Sequence, residues 1–484
     1  MKNAKIQAFI PWTLLILCSV CYVSLIFNRN VWMDEAFTAT LIRTDMAGVI
    51  SRSMRDTLPP LYNILLKLMT DLFGYSIPVM KLTSVLPMIG TLFLGATVVK
   101  RRHGLYAGCL FMISLTAMPL MLYYGVEIRM YSLGFFFATA SGIYAYEVLA
   151  ESCRKNWVLF TLFSVLAGYS HHFAFVCVGV IYFFLLLYYV IKDRAHLRRW
   201  FFCLLATFIL YLPCLVITLK QLKRVSGYFS MPEITPRLFL QYMVYPYTTG
   251  ISGLSLILLL SVIALFVFRL IALKRDKEQP ASTRAGHMYA LLCFLPYYLV
   301  LLFGTLLSKI MTANIFVDRY LFFSAGLIWL FFSIEVSSLP DLHLKNRDLP
   351  LKMLAVPLVI LVFISTFHTE WKIEYGTDPS EMIAFLDTHV KEGDGLITCS
   401  DSEALYWCLP FYAPLLQPYG SAEAGLEALE NGEIDKLWLA SDHEPALKEL
   451  LDDPALQTAP VTDGEFCFDR YRFSLYHLPG ADAD

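Results

Sequence analysis

Charge is what this sequence has least of. Only 16% of its 484 residues are Asp, Glu, Lys or Arg, against about 25% in ordinary soluble domains. With 57% of residues apolar or aromatic, that scarcity excludes a disordered chain. A formal net charge of −2 leaves no basic surplus for a polyanion, so no nucleic-acid partner is expected. There is no P-loop and no Gly-rich dinucleotide fingerprint. The eleven cysteines stand mostly alone in apolar runs, where they act as small hydrophobes, and none shows the Cys/His spacing of a zinc site. No internal repeat is visible, which weighs against a transporter built from related halves.

What the chain has instead is long apolar runs, with a mean hydropathy of +0.58. A spanning helix needs about 20 mostly apolar residues. About eleven runs qualify, near residues 8–28, 78–99, 104–124, 130–150, 156–171, 173–191, 199–219, 250–273, 287–308, 319–337 and 351–368. The first lacks a small-residue cleavage site and reads as a permanent anchor, not a signal peptide. The expected fold is therefore a mainly α, polytopic helix bundle in the cell membrane.

Lys and Arg near helix ends set the orientation. With Lys2 and Lys5 in the cytoplasm, the inner loops carry Lys100-Arg101-Arg102, Arg154-Lys155, Arg194 with Arg198-Arg199, Lys274-Arg275-Lys277, and Lys345 with Arg347. An odd number of spans then puts the C-terminal tail outside. The first outer loop covers about 29–77. Within it, Leu61, Ile64, Leu65, Leu68 and Leu72 fall on one helical face between Pro59-Pro60 and Gly74, which predicts an interfacial helix over about 59–73.

Near residue 370 the composition changes. Residues 370–484 hold 24 acids and 6 bases, a balance of −18. The first 369 hold 16 acids and 32 bases, a balance of +16. Two domains follow: a membrane domain over 1–369 and an acidic extracytoplasmic domain over 370–484. The tail alternates strand-like runs (GLITCS, KLWLAS, FCFDRYRFSLYHL) with helix-like ones (PSEMIAFLDTHV, EPALKELLDD), as a small α/β domain would. It carries Cys399, Cys408 and Cys467, an odd number whose pairing the sequence does not specify.

Ionisable groups at membrane depth are costly and usually functional. Asp34-Glu35, Asp56, Glu127 with Arg129, His171-His172 and Asp318-Arg319 all fall on the outer face of this topology. Singly, each has a plain reading as a helix-end anchor, an internal ion pair or a satisfied interfacial histidine. On a regular helix Glu127 and Arg129 would point apart, so one of them must leave the helix face. Together the set suits a lipid-linked sugar. Arg129 and Arg319 would bracket the phosphate. Asp34 or Glu35 would take the proton of the attacking hydroxyl. The interfacial helix would shield the site from water.

Five segments carry a family resemblance. Trp32-Met33-Asp34-Glu35-Ala36 resembles the aromatic-x-Asp-Glu signature of membrane-integral GT-C glycosyltransferases, of the protein O-mannosyltransferase and lipid A aminoarabinose transferase type. Pro59-Pro60-Leu61-Tyr62, Glu127-Ile128-Arg129-Met130-Tyr131, Ser170-His171-His172-Phe173 and Arg319-Tyr320-Leu321 are similar to further segments of that family. They occur in family order over about residues 8–340. The resemblance implies a polyprenyl-phosphate sugar donor, transfer on the extracytoplasmic face to an acceptor the sequence does not name, and inversion at the anomeric carbon. It implies Asp34 as base with Glu35 supporting it, Arg129, Arg319 and Tyr320 at the donor phosphate, and Asp56, Tyr62, Glu127, Tyr131, His171 and His172 around the substrates. No cofactor is expected. Some relatives bind a divalent metal, for which Glu127 and His171 would be the ligands here; none is predicted. The chain departs from the family at Leu58, often His in relatives, and at the doubled histidine. The rival readings are a flippase or transporter of the same glycolipid and a non-catalytic membrane scaffold.

Overall fold

The computed structural model describes residues 2–228, 231, 233–275, 281–311, 314–344, 347–375, 378–398, 403–441, 466–468 and 471–479. Its helices are α1 (Lys2–Leu25), α2 (Met33–Leu41), α3 (Met46–Arg55), α4 (Leu61–Phe73), α5 (Ile77–Leu94), α6 (Lys100–His103), α7 (Leu105–Ala117), α8 (Met121–Val126), α9 (Tyr131–Ala150) and α10 (Arg154–Ser170). They continue with α11 (His172–Lys192), α12 (Leu197–Tyr228), α13 (Pro236–Val244), α14 (Ser252–Arg275), α15 (Ala281–Ile310), α16 (Phe322–Ser337), α17 (Ala355–Tyr375), α18 (Ser380–His389), α19 (Glu403–Tyr412) and α20 (Ala422–Glu430). Chain contacts divide them into two units: residues 1–26 with 44–370, and residues 27–43 with 371–484.

The first unit is a polytopic membrane bundle. Among the described residues, nine helices are long and apolar enough to cross a membrane. The other two expected spans are shorter: α10 has 17 residues and α7 has 13. The expected run 104–124 breaks because Pro119 offers no N–H and drives Met118 into an extended conformation (ψ 152°). Leu120 follows in the left-handed region, with φ 71°.

Helices α9 and α16 form the centre of this bundle and run parallel. Close approach through small residues makes their contact: a Cβ on Gly142 would lie 2.3 Å from Leu327, and one on Gly326 would lie 2.2 Å from Thr139. Lipid tails are as apolar as leucine, so such close packing, rather than apolar burial, holds membrane helices together. Helix α4 packs on α5 by its Tyr62, Leu66 and Thr70 face. Leu68 and Leu72 of the expected apolar stripe stay exposed, as does Phe73, as an interfacial helix requires.

The second unit contains a five-stranded sheet. Its strands are β3 (Gly395–Thr398), β4 (Gln417–Pro418), β5 (Lys436–Ser441), β6 (Phe466–Phe468) and β7 (Tyr471–Pro479), numbered after a hairpin of β1 (Asp341–Leu344) and β2 (Arg347–Pro350) in the first unit. The order is β4-β3-β5-β7-β6, parallel across β4-β3-β5 and antiparallel across β5-β7-β6. Ile397, Leu437, Leu439 and Leu478 fill its core with Ala428 of α20. The predicted helix over EPALKELLDD lies outside the described residues, as does Cys399. Cys408 and Cys467 are free thiols. Residues 27–43, expected with the membrane domain, belong to this unit. Phe37 of α2 meets Trp407 of α19 edge-on at 4.9 Å, and the Val31 N–H donates to the Tyr412 hydroxyl at 2.8 Å.

Candidate functional site

The first unit gathers most of the expected residues where α9 and α16 begin. The Glu127–Arg129 segment is not helical. Glu127 adopts φ −59° and ψ 134°, and the Arg129 N–H donates back to the Glu127 carbonyl at 2.6 Å. This tight turn resolves the two-residue spacing that a helix could not accommodate. The turn is tied to α4 and α5: the Ser84 hydroxyl donates to the Glu127 carbonyl at 2.6 Å, and the Tyr62 and Ser84 hydroxyls lie 2.7 Å apart. Tyr62 thus acts on the site through Ser84.

Aromatic rings form the floor. His171 stacks on Phe323 at 4.3 Å and tilts against Tyr320 at 4.8 Å, and Tyr131 lies 6.0 Å from Phe323. The charges of Arg129 and Arg319 both reach the His171 ring and the Tyr131 hydroxyl. His171 is 1% exposed and caps α11: its Nδ1 accepts the Phe173 N–H at 3.1 Å. The ring proton therefore sits on Nε2, which is buried and has no hydrogen-bond partner among the described residues. A buried N–H donor with no acceptor costs about 1–3 kcal/mol, a cost relieved if a ligand supplies the acceptor.

An apolar cavity of about 290 Å³ adjoins these residues, with His171, His172, Phe173, Tyr211 and Tyr320 in its walls. Its rim is fixed by Gln221, which lies 3.1 Å from His172 Nε2 and donates to the Leu58 carbonyl at 2.9 Å. Leu58 thus occupies the rim by its backbone. Asp56 lies just before it, 3.5 Å from the Thr57 hydroxyl. Among the described residues, no group of three or more His, Cys, Asp or Glu is arranged to hold a metal ion.

The break before this turn is braced from two sides. The Tyr22 hydroxyl, from α1, donates to the Leu115 carbonyl and lies 3.3 Å from that of Met121. The Glu370 carboxylate, from α17, accepts the Leu120 and Tyr123 N–H groups at 2.6 and 2.9 Å. Backbone groups released at a break in a membrane helix need such partners.

Asp34 and Glu35 lie in the second unit, in the first turn of α2. Glu35 is 4% exposed, and its carboxylate accepts the Trp32 N–H at 3.1 Å, a capping interaction that secures the helix start. The Asp34 carbonyl accepts the Thr38 hydroxyl at 2.8 Å, and its side chain is half-buried.

This fold has solved counterparts. The fold is that of ArnT. The crystal structure of ArnT from Cupriavidus metallidurans in the apo state matches with a TM-score of 0.68 at 11% identity, over 96% of this chain and 97% of that one. The same ArnT bound to undecaprenyl phosphate matches with a TM-score of 0.63 at 12% identity, again over 96% and 97%. The polytopic helical membrane fold expected from the sequence is thus shown, and it is ArnT-like. No family model and no curated protein matches the chain.

Several residues here escaped the sequence reading. Lys81 is 1% exposed and lies one helical turn before Ser84. It is the one charged residue in the apolar run 78–99, and that isolation was a usable signal. Ser84, Gln221 and Glu370 carried none, because their roles depend on contacts 43 to 250 residues distant.

Proposed function

We propose that this protein transfers a sugar from a polyprenyl-phosphate donor to an acceptor hydroxyl at the extracytoplasmic face of the cell membrane, with the N-terminus cytoplasmic. The observation that carries the reading is the His171 Nε2–H, held without an acceptor within reach of the Arg129 and Arg319 charges and beside an apolar cavity. A phosphate on an isoprenoid chain supplies what each part lacks. Its oxygens accept from His171 and from the guanidinium groups, whose planar fork suits phosphate. The first isoprene units occupy the cavity. The fold shared with a protein crystallised with undecaprenyl phosphate supports this choice of lipid.

In the reaction, the acceptor oxygen attacks the anomeric carbon from the face opposite the phosphate. The bond from that carbon to the phosphate oxygen breaks, and its electron pair leaves with the polyprenyl phosphate. Asp34 takes the hydroxyl proton, and Glu35 holds the start of the helix that carries Asp34. Arg129, Arg319 and His171 stabilise the phosphate as its charge grows, and Lys81, which is buried, adds a third cation. Tyr62, Tyr131 and Tyr320 shape the pocket, Glu127 orients Arg129 or the sugar, His172 lines the cavity that takes the isoprene units, and Asp56 lies on the acceptor approach.

The test is transfer by the full-length protein in proteoliposomes, using radiolabelled undecaprenyl-phosphate sugars. Asp34→Asn should lower transfer by about 10²–10⁴-fold while undecaprenyl phosphate still binds. A fully active Asp34→Asn protein would remove Asp34 from the mechanism, and a wild-type protein that fails to bind undecaprenyl phosphate would sink the donor assignment.

A further inference from the structure

Helices α10 and α12 run side by side, closed at the site end and open at the other. Near the site, Tyr211 of α12 stacks on Phe175 at 4.1 Å and covers Gly168, where a Cβ would lie 2.8 Å from its ring. The Tyr169 hydroxyl donates to the Leu210 carbonyl at 2.9 Å. Toward the N-termini of both helices smaller residues face one another, Thr161, Cys203 and Ala206 among them, and leave a groove of about 620 Å³. At 17 residues, α10 carries this groove about 25 Å away from His171.

The groove has the shape and polarity of a lipid. It is lined by one face of each helix: Arg154, Trp157 and Thr161 on α10, and Arg199, Cys203 and Ala206 on α12. Each row begins with a cation and continues without charge. From Arg199 to Leu210 the row rises about 16 Å, half of the roughly 30 Å hydrocarbon layer, which is the depth of one leaflet. Val158, Leu162 and Phe202 of its walls are exposed, so the groove opens toward lipid.

Its mouth is fixed by hydrogen bonds. Arg199 Nη1 donates to the Ser152 carbonyl at 2.6 Å, and Trp157 Nε1 donates to the Ser152 hydroxyl at 2.9 Å. These bonds hold Arg199 at the start of α10 and leave its Nε and Nη2 donors for a ligand. Two carboxylates stand nearby, and both are engaged: Glu151 with Arg102 at 2.9 Å and Asp193 with His196 at 2.6 Å. Neither α10 nor α12 has an acid in its first turn. Arg154 and Arg199 occupy those turns, where the helix dipole favours negative charge. Topology accounts for basic loops at this end, but not for two guanidinium groups over a groove one leaflet deep. An anion between them would satisfy both arginines and both helix ends, and an acyl chain would fill space that close packing does not leave empty.

We infer that this groove holds a phospholipid of net negative charge, drawn from the leaflet opposite the transfer site. Its phosphate lies between Arg154 and Arg199, and one acyl chain lies between α10 and α12. Headgroup charge decides the choice, because a zwitterionic head brings a cation of its own to the two arginines. This lipid is neither donor nor acceptor, and its binding does not depend on transfer.

The test places the full-length protein in phosphatidylcholine nanodiscs with a trace of phosphatidylglycerol that carries a diazirine in its acyl chain. After irradiation the labelled residues are mapped. The readout is labelling of residues 157–162 and 202–206 relative to Leu256, Ile257 and Leu260, which are exposed on α14. This ratio should be about tenfold or more higher for phosphatidylglycerol than for phosphatidylcholine bearing the same diazirine. Arg154→Gln/Arg199→Gln should remove most of that preference. Ala206→Phe keeps both charges but fills the groove, and should bring its labelling down to the α14 level. Lys155→Gln/Arg194→Gln removes two exposed cations of the same loops that do not line the groove. It should stay within about twofold of wild type, since diffuse attraction raises labelling of groove and α14 alike. Equal ratios for the two lipids would overturn the inference and make the groove an ordinary lipid contact. So would a preference that survives Arg154→Gln/Arg199→Gln, or one lost as fully in Lys155→Gln/Arg194→Gln. Should Arg154→Gln/Arg199→Gln fail to fold, Ala206→Phe still decides, because groove labelling that persists in it refutes an acyl chain between the helices.

Discussion

The two ends of α9 and α16 use the same residue types differently. At their N-terminal ends stand Arg129, Tyr131, Arg319 and Tyr320; sixteen residues on, about 24 Å along each helix, stand Glu147 and Glu335. There each carboxylate is bound by arginine. Glu147 holds Arg102 at 2.7 Å and Arg101 at 2.8 Å. Glu335 holds Arg269 at 2.7 Å, and Arg269 also donates to Ser338 at 2.8 Å. At the N-terminal ends, the Ser84 hydroxyl donates to the Glu127 carbonyl, the Tyr124 and Tyr245 hydroxyls pair, and among the described residues His171 Nε2–H has no acceptor. Charge neutralised within the chain locks helices together, whereas a donor held without an acceptor is a place for a ligand.

Exchanging the two kinds of site should separate folding from chemistry. Arg319→Ala or Arg129→Ala should cut transfer by about 100-fold, since each loses charge-assisted bonds to phosphate worth about 1.5–3 kcal/mol apiece. Glu335→Ala should do the reverse. It strands Arg269 in a buried site, which costs about 3–5 kcal/mol and lowers the melting temperature, while the folded fraction keeps its specific activity. A folded, inactive Glu335→Ala protein would erase the distinction between the two ends.

A smaller effect is expected at the His171 ring. His171→Phe preserves the stacking on Phe323 and Tyr320 but deletes the Nε2–H. Transfer should fall about tenfold, one charge-assisted bond's worth, and undecaprenyl phosphate should bind correspondingly less tightly. Stability should hold or rise, because a buried N–H without an acceptor has been removed. A loss of stability with unchanged affinity would make His171 a packing residue.

The sequence was informative where a physical cost is visible locally. Ionisable residues in apolar surroundings exposed Glu127, Arg129, His171 and Arg319, and basic loops ordered the spans. Pro119 announced a break, though not its consequence, that the expected span 104–124 divides into α7 and α8. The charge change near residue 370 marked a boundary, but nothing local showed that residues 27–43 pack on α19, because that contact joins Val31 to Tyr412 across 381 residues. Glu35 illustrates the same limit. Its place beside Asp34 suggested a carboxylate supporting the base; that its oxygen accepts the Trp32 N–H, a capping contact, is something the spacing from Trp32 to Glu35 alone does not announce.

The smallest effect is expected at Glu370, which divides the comparison most finely. Its carboxylate sits at the site end, yet like Glu147 it is fully engaged, here by two backbone N–H groups. It holds Leu120 at φ 71°, a conformation that costs a non-glycine residue about 1–3 kcal/mol and persists only where the surroundings impose it. Through α8 that clamp sets where the Glu127–Arg129 turn begins. Glu370→Gln keeps one acceptor and loses the other, so the turn should loosen and transfer fall about fivefold, roughly 1 kcal/mol, the worth of one hydrogen bond. Leu120→Gly tests whether positioning is the cause, since glycine adopts positive φ without the steric cost. Combined with Glu370→Gln it should recover much of the lost transfer. A purely stabilising carboxylate predicts the opposite, because Leu120→Gly also removes an apolar side chain and would add its own loss.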